Sequence, residues 1–343
     1  MLQKIRSVYI IFTLTAVFLF SSYKPLRVDT PYPSIPEISL NLPSYRYIEP
    51  AFNNYNDPVI TCDSASSTIQ FSRAGNLILI RARADTTEGY FILDTGAPYL
   101  ILNMTYFRGY PGNPGPDGAQ GGITGSVTSA TPTRVKKLSM GGFHYHAIEA
   151  DRINLGHIED SKGVKILGLL GMQLFKRFEM IIDYENSLIH LHLIQKKEAR
   201  VYKSEMLRDT STYNTFPIII KDNKLLINAF VGGKMLSFVI DTGAESNIID
   251  SRLPNRVFTN ITINRRVVLA GNGQKKIEAL YGDMSDFKIG DVAISKLPFL
   301  VTNLEAMCTA YNVSCLDGML GFDFLSLHKI GFNFVTRKMY IWK

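Results

Sequence analysis

Cysteine is scarce in this chain, with three among 343 residues. Cys62 has no evident partner, and Cys308 and Cys315 fall in one loop-like stretch where a bridge and two free thiols are both open. A disulfide framework is therefore excluded as the source of stability. Also missing is a basic stripe interleaved with aromatics. The net charge of +7 comes from scattered pairs such as Lys136-Lys137, Lys196-Lys197, Arg265-Arg266 and Lys275-Lys276. These read as solvated faces, and nucleic acid is not expected as a partner. Four of the six histidines stand in alternating pairs, His144 with His146 and His190 with His192. No third ligand follows at metal-binding spacing, so they are taken as strand histidines and no metal is expected. The Gly271-x-Gly273 triplet is followed by no helix signal, which removes a phosphate cradle; no cofactor is expected.

What is present describes a folded, β-rich chain. Apolar residues make up 46% and glycines number 26, with Val, Ile, Phe and Tyr in short runs between the glycines. That composition excludes disorder and collagen-like order. The length suits two domains plus an extension.

The N-terminus carries Lys4 and Arg6, an apolar run from Val8 to Phe20, then Ser21 and Ser22. This is the layout of a secretory signal peptide over 1–22. The uncharged stretch 7–23 also reaches the lower limit for a membrane anchor. Either reading places the chain outside the cytoplasm: secreted, periplasmic or membrane-anchored. Residues 23–65 are rich in proline, tyrosine and asparagine and have no counterpart later. They form an extension, lying along the surface or removed as a pro-segment.

The rest of the chain repeats itself. Residues 71–103 match 218–250 at a constant offset of 147, with Asn76 on Asn223, Leu79 on Leu226 and Phe91 on Phe238. LSMGGF at 138–143 matches FKIGDV at 287–292, and LGLLGMQLF at 167–175 matches DGMLGFDFL at 317–325. Each copy closes with a strand, a turn and a second strand, from Phe178 in one and His328 in the other. Two lobes follow, 66–200 and 212–343.

One tetrapeptide recurs at the same place in both copies: Asp94-Thr95-Gly96-Ala97 and Asp241-Thr242-Gly243-Ala244, each after a bulky apolar strand. A carboxylate at the end of a buried strand costs desolvation that pairing or function must offset. The threonine offers a hydrogen bond across to the other lobe, and glycine lets backbone approach the carboxylate. Facing each other across a pseudo-twofold axis, the two turns bring both carboxyls to one water. The pair then shares a proton, because like charges that close do not both ionise.

On these tetrapeptides, and on Leu169-Leu170-Gly171 and Met319-Leu320-Gly321, the chain resembles the retropepsin-like branch of the pepsin-type aspartic peptidases. The resemblance runs from about residue 66 to the C-terminus. It implies an all-β chain with few short helices, in the two-lobed acid-protease β-barrel fold with pseudo-twofold symmetry. It also implies a catalytic pair Asp94 and Asp241 acting on extended polypeptide, and structural roles for Gly171 and Gly321 in a psi-shaped crossing beneath the turns. Flaps are implied as well, with candidate glycines Gly121, Gly122 and Gly125 in one lobe and Gly271 and Gly273 in the other. No equivalent of the pepsin flap tyrosine is found. Retroviral enzymes are homodimers of one lobe, whereas here two are fused, so a monomer is expected. The rival reading is a catalytically inert binding or scaffold protein of the cell envelope.

Asp183, Asp250 and Asp323 lie near conspicuous motifs but precede no Thr-Gly and are assigned to turns and helix ends. The sequons at Asn103, Asn260 and Asn312 are read as chance triplets.

Overall fold

The computed structural model describes residues 10–11, 57–112, 118–119, 129–199, 201–221, 223–270, 277–305 and 316–343. Most of the leader and extension, the candidate flap glycines, and Cys308 with Cys315 lie outside the described residues. The described chain is mostly strand, with short α-helices at Gly156–Lys162, Asn255–Phe258 and Phe322–Leu325. Among the described residues no helix is long and apolar enough to cross a membrane.

Three sheets result. A nine-stranded sheet uses strands of the first copy together with Val59–Cys62 at the end of the 23–65 extension, which pairs antiparallel with Phe143–His146, and an eleven-stranded sheet uses strands of the second, together with a two-residue pairing of Ile10–Ile11 to Leu269–Ala270. Local pattern explains the strands. In Leu77–Ala84 the first four residues are buried on both faces, after which Arg81 and Arg83 point out while Ala82 and Ala84 point in. That change marks where the strand leaves the interior for a surface hairpin. The turn that follows, Asp85-Thr86, is matched in the second copy by Gly232-Gly233. Asp85 and both of these glycines have positive φ, as tight hairpin turns require.

The third sheet is shared. Its order is Tyr213–Pro217, Lys338–Trp342, Ile330–Asn333, Phe178–Asp183, Leu188–Leu193, Ser66–Gln70. The closing hairpin of each copy thus pairs antiparallel with that of the other, Glu179 opposite Asn333 and Ile182 opposite Ile330. Side chains fasten the seam at both ends. Asn333 donates to Glu179 at 2.9 Å, and Lys329 pairs with Asp183 at 2.7 Å.

Aromatic side chains fill the core in both lobes. Phe143 meets Phe178 edge-on at 4.9 Å, and in the second lobe Phe238, Phe287 and Phe299 pack with centroids 5.6–6.1 Å apart.

Phe178 joins the shared sheet to the first-lobe core through Phe143, Tyr145 and Phe175. Phe178→Ala is expected to destabilise the fold by about 3–5 kcal/mol. The measurement is urea unfolding followed by the fluorescence of Trp342, the sole tryptophan, which lies in the same sheet.

Candidate active site

Strand Thr87–Asp94 becomes fully buried over its last four residues, Phe-Ile-Leu-Asp. It delivers Asp94 to the interior, 1% exposed. Gly168–Gly171 runs parallel to it with Gly171 opposite Asp94, and antiparallel to Leu100–Asn103. The second copy repeats the arrangement. Gly318–Leu320 lies parallel to Phe238–Ile240 and antiparallel to Ile248–Ile249, with Asp241 also 1% exposed.

Each Asp-Thr-Gly-Ala turn closes on its own carboxylate. Gly96 and Ala97 both donate backbone N–H to Asp94 Oδ1 at 2.9 Å, and Gly243 donates to Asp241 Oδ1 at 2.7 Å. The signature glycines fit beneath the turns. A side chain at Gly171 would strike the carbonyls of Tyr99 and Ala97, and one at Gly321 those of Ala244 and Ser246. Met172 N–H and Phe322 N–H donate to the Ala97 and Ala244 carbonyls at 2.8 and 2.9 Å.

The two turns interlock through their threonines. Thr95 Oγ1 donates to Ile240 O at 2.9 Å and accepts from Thr242 N at 3.0 Å. Thr242 Oγ1 donates to Leu93 O at 2.8 Å and accepts from Thr95 N at 3.0 Å. This exchange presses each glycine against the opposite carboxylate. A Cβ on Gly243 would sit 2.7 Å from Asp94 Cγ, and one on Gly96 would run into the Asp241 carboxyl. Glycine is required at both points because the backbones approach so closely.

The resulting electrostatics are those of a shared-proton pair. Burial raises the pKa of Asp94 well above the ordinary carboxylate range, and the charge of Asp241 pushes it further, while the Ala97 and Gly96 N–H groups pull it back. Burial also raises Asp241, opposed by the Gly243 N–H. Asp94 Oδ2 is buried without a hydrogen-bond partner among the described residues. Burial and mutual charge together disfavour ionising both carboxyls at once.

A family model described as aspartyl protease matches residues 227–324, a span that includes the second turn and Gly321. Over that span the chain is similar to the aspartyl proteases, and its mostly-β build is consistent with a two-lobed, retropepsin-like acid-protease fold. Hydrolysis of peptide bonds is the chemistry of that family. No curated protein matches the chain.

The candidate flap segments are bracketed by paired arms. Gly118–Ala119 pairs with Ser129–Ala130, and Leu269 pairs with Ile277; the glycines between lie outside the described residues. The histidines are engaged on strand surfaces: His144 with Ser139 and Asp63, His146 with Thr61, His190 with Thr68, His192 with Ser66 and Glu198. Among the described residues no cluster of three metal-ligating side chains occurs. Asp183 caps a turn through Asn186 and, against burial, is held at a pKa of about 2 by Lys329 and Asn186. Asp250 binds Arg252, and Asp323 accepts from Asn247 N–H. Asn103 is fully buried and bonded to Glu159 and Ile166, so its side chain is spoken for.

Two features beside the second turn escape sequence reasoning. Tyr281, half-buried, packs against the apolar cluster containing Ala244 and Val267, with the Arg265 guanidinium 4.4 Å over its ring. Glu245, next after the tetrapeptide, is buried. The sole signal for Glu245 was a charge where the first copy has Pro98.

The crossed threonines carry a direct test. Thr95→Val leaves Ile240 O and Thr242 N–H buried without partners, at about 1–3 kcal/mol for each group, whereas Thr95→Ser keeps both bonds. Denaturant unfolding of the two variants is expected to show valine strongly destabilised and serine close to wild type.

Proposed function

We propose that the protein is an aspartic endopeptidase that cleaves extended polypeptide with a water activated by Asp94 and Asp241. The observation that carries the reading is the reciprocal threonine exchange, which holds two buried carboxyls against each other's turns. The ionised member takes a proton from water as the oxygen attacks the peptide carbonyl. The protonated member donates to the carbonyl oxygen as negative charge develops there. The Gly96, Ala97 and Gly243 N–H groups hold the carboxylates in place, so little reorganisation is needed at the moment of reaction. One chain supplies both turns, so the working species is a monomer. The apolar N-terminus favours an extracytoplasmic setting, tethered or released. The inert-scaffold reading gains no support from the aspartyl protease match.

Asp94→Asn and Asp241→Asn are each expected to lower turnover by several orders of magnitude in a peptide-library cleavage assay, with the fold retained. Either variant keeping more than about a tenth of wild-type activity, a barrier change under ~1.4 kcal/mol, contradicts the shared-proton mechanism. Specific activity in the same assay should not change with enzyme concentration; a steep fall on dilution contradicts the monomer.

The pH dependence follows from the raised pair. Burial lifts both carboxyls, so the single shared proton is kept to higher pH, and the optimum is mildly acidic to near neutral. Ala97 and Ala244 donate no side-chain hydrogen bond that would favour ionisation. Replacing both with serine adds such a donor, lowers the first ionisation, and is expected to move the acid limb of kcat/KM toward lower pH. An acid limb that stays in place, or moves up, refutes the tuning role of these two positions.

A further inference from the structure

Besides the threonine exchange and the sheet seam, the lobes meet at a polar contact beside the Asp241 turn that has no counterpart beside the Asp94 turn. Glu245 directly follows the second Asp-Thr-Gly-Ala turn, and its carboxylate is gripped by two separate elements of the first lobe. Lys162, the last residue of helix Gly156–Lys162, reaches Oε2 at 2.6 Å. Asn76 donates its backbone N–H to Oε1 at 3.0 Å and its side-chain amide to the Glu245 carbonyl at 3.2 Å. The ion pair is dry, with side-chain exposures of 10% for Lys162 and 7% for Glu245.

The first lobe is shaped to make this grip. Gly75, beside Asn76 at the tip of the Ser72–Ala84 hairpin, has φ of +61°. A Cβ there would lie 2.8 Å from Glu245 Oε1 and 3.1 Å from Lys162 Nζ. Glycine at this point gives the hairpin both its turn and its close approach. Arg73 on the same hairpin stacks 4.5 Å over the ring of Phe322, whose N–H holds the Ala244 carbonyl. All of these contacts converge on residues 244–245, three and four positions after Asp241. In the first copy the equivalent position is Pro98, which carries neither charge nor acceptor side chain.

We propose that Glu245, clamped by Lys162 and Asn76, is a positioning residue that sets the Asp241 turn against the first lobe and so fixes the geometry of the pair. The proposal rests on the peptidase reading above. Physical economy argues for a role beyond adhesion. Replacing a buried ion pair by apolar residues of similar size is often neutral or stabilising, so burying these two charges is a weak way to glue lobes together. What the pair supplies is direction, because three hydrogen bonds define where residue 245 lies. A displacement of about 1 Å at a reacting carboxyl is enough to cost about 10²-fold in rate.

The deciding variant is Lys162→Met/Glu245→Leu, which removes both charges and leaves an apolar contact. Thermal unfolding, kcat and KM on one peptide, and affinity for a statine-type transition-state mimic are measured together. The expected result is a melting temperature near wild type, kcat lowered at least about tenfold, KM within about twofold, and mimic affinity falling in step with kcat. Lys162→Arg alone, which keeps the charge and its reach to Glu245, should retain most of kcat. Wild-type kcat in the double variant overturns the proposal, as does a rise in KM at unchanged kcat, which marks a substrate contact instead. Should the double variant fail to fold, Glu245→Gln, which keeps the acceptor for Asn76, is judged by the same split. A wild-type protein that neither cleaves peptides nor binds the mimic overturns the peptidase reading and this proposal together.

Discussion

The rest of the structure depends on four hydrogen bonds between two threonines and the backbone of the opposite lobe. Each threonine hydroxyl accepts from one main-chain N–H and donates to one main-chain carbonyl. Because all these groups are buried, separating the lobes at this point would leave several of them unpaired without water to replace the loss. Two acidic side chains are held near each other by contacts that do not involve their own charges. The repulsion between them is left to be relieved by a proton, and the pair is thereby kept ready to exchange one.

Around this symmetric centre the environment is unequal. Next to the Asp241 turn stand a buried ion pair and a half-buried tyrosine, whereas Pro98 follows the other turn. A fused chain can differentiate its two halves, which a homodimer of identical lobes cannot do.

Much of the architecture was legible because the chain was duplicated. A single Asp-Thr-Gly says little, but two at one offset, each ending an apolar strand, placed both turns at equivalent points and implied that they face each other. The closing hairpins were readable from the same repeat. Legibility failed where the two copies differ or meet. The repeat showed two closing hairpins, but periodicity carries no information on partners, so their pairing with each other across the seam was hidden. Lys162 lies in a stretch for which the repeat offered no counterpart, and 83 residues separate it from Glu245. No spacing rule connects them; only the approach of the lobes does. The sequon at Asn103 read as a chance triplet, and in the structure its buried side chain is bonded to the helix and loop that follow.

The shared sheet has an order that reads alike from either end, with edge strands 66–70 and 213–217 and a central seam between 178–183 and 330–333. Cutting the chain between its halves would turn that seam into two exposed edges, each with a row of open N–H and carbonyl groups on a strongly apolar strand. An exposed strand of this kind is a template for another strand, and the best available match is a second copy of itself in antiparallel register. Half a molecule would therefore tend toward self-association. Covalent linkage makes the seam an intramolecular one, and the two lobes find each other at every concentration of the protein.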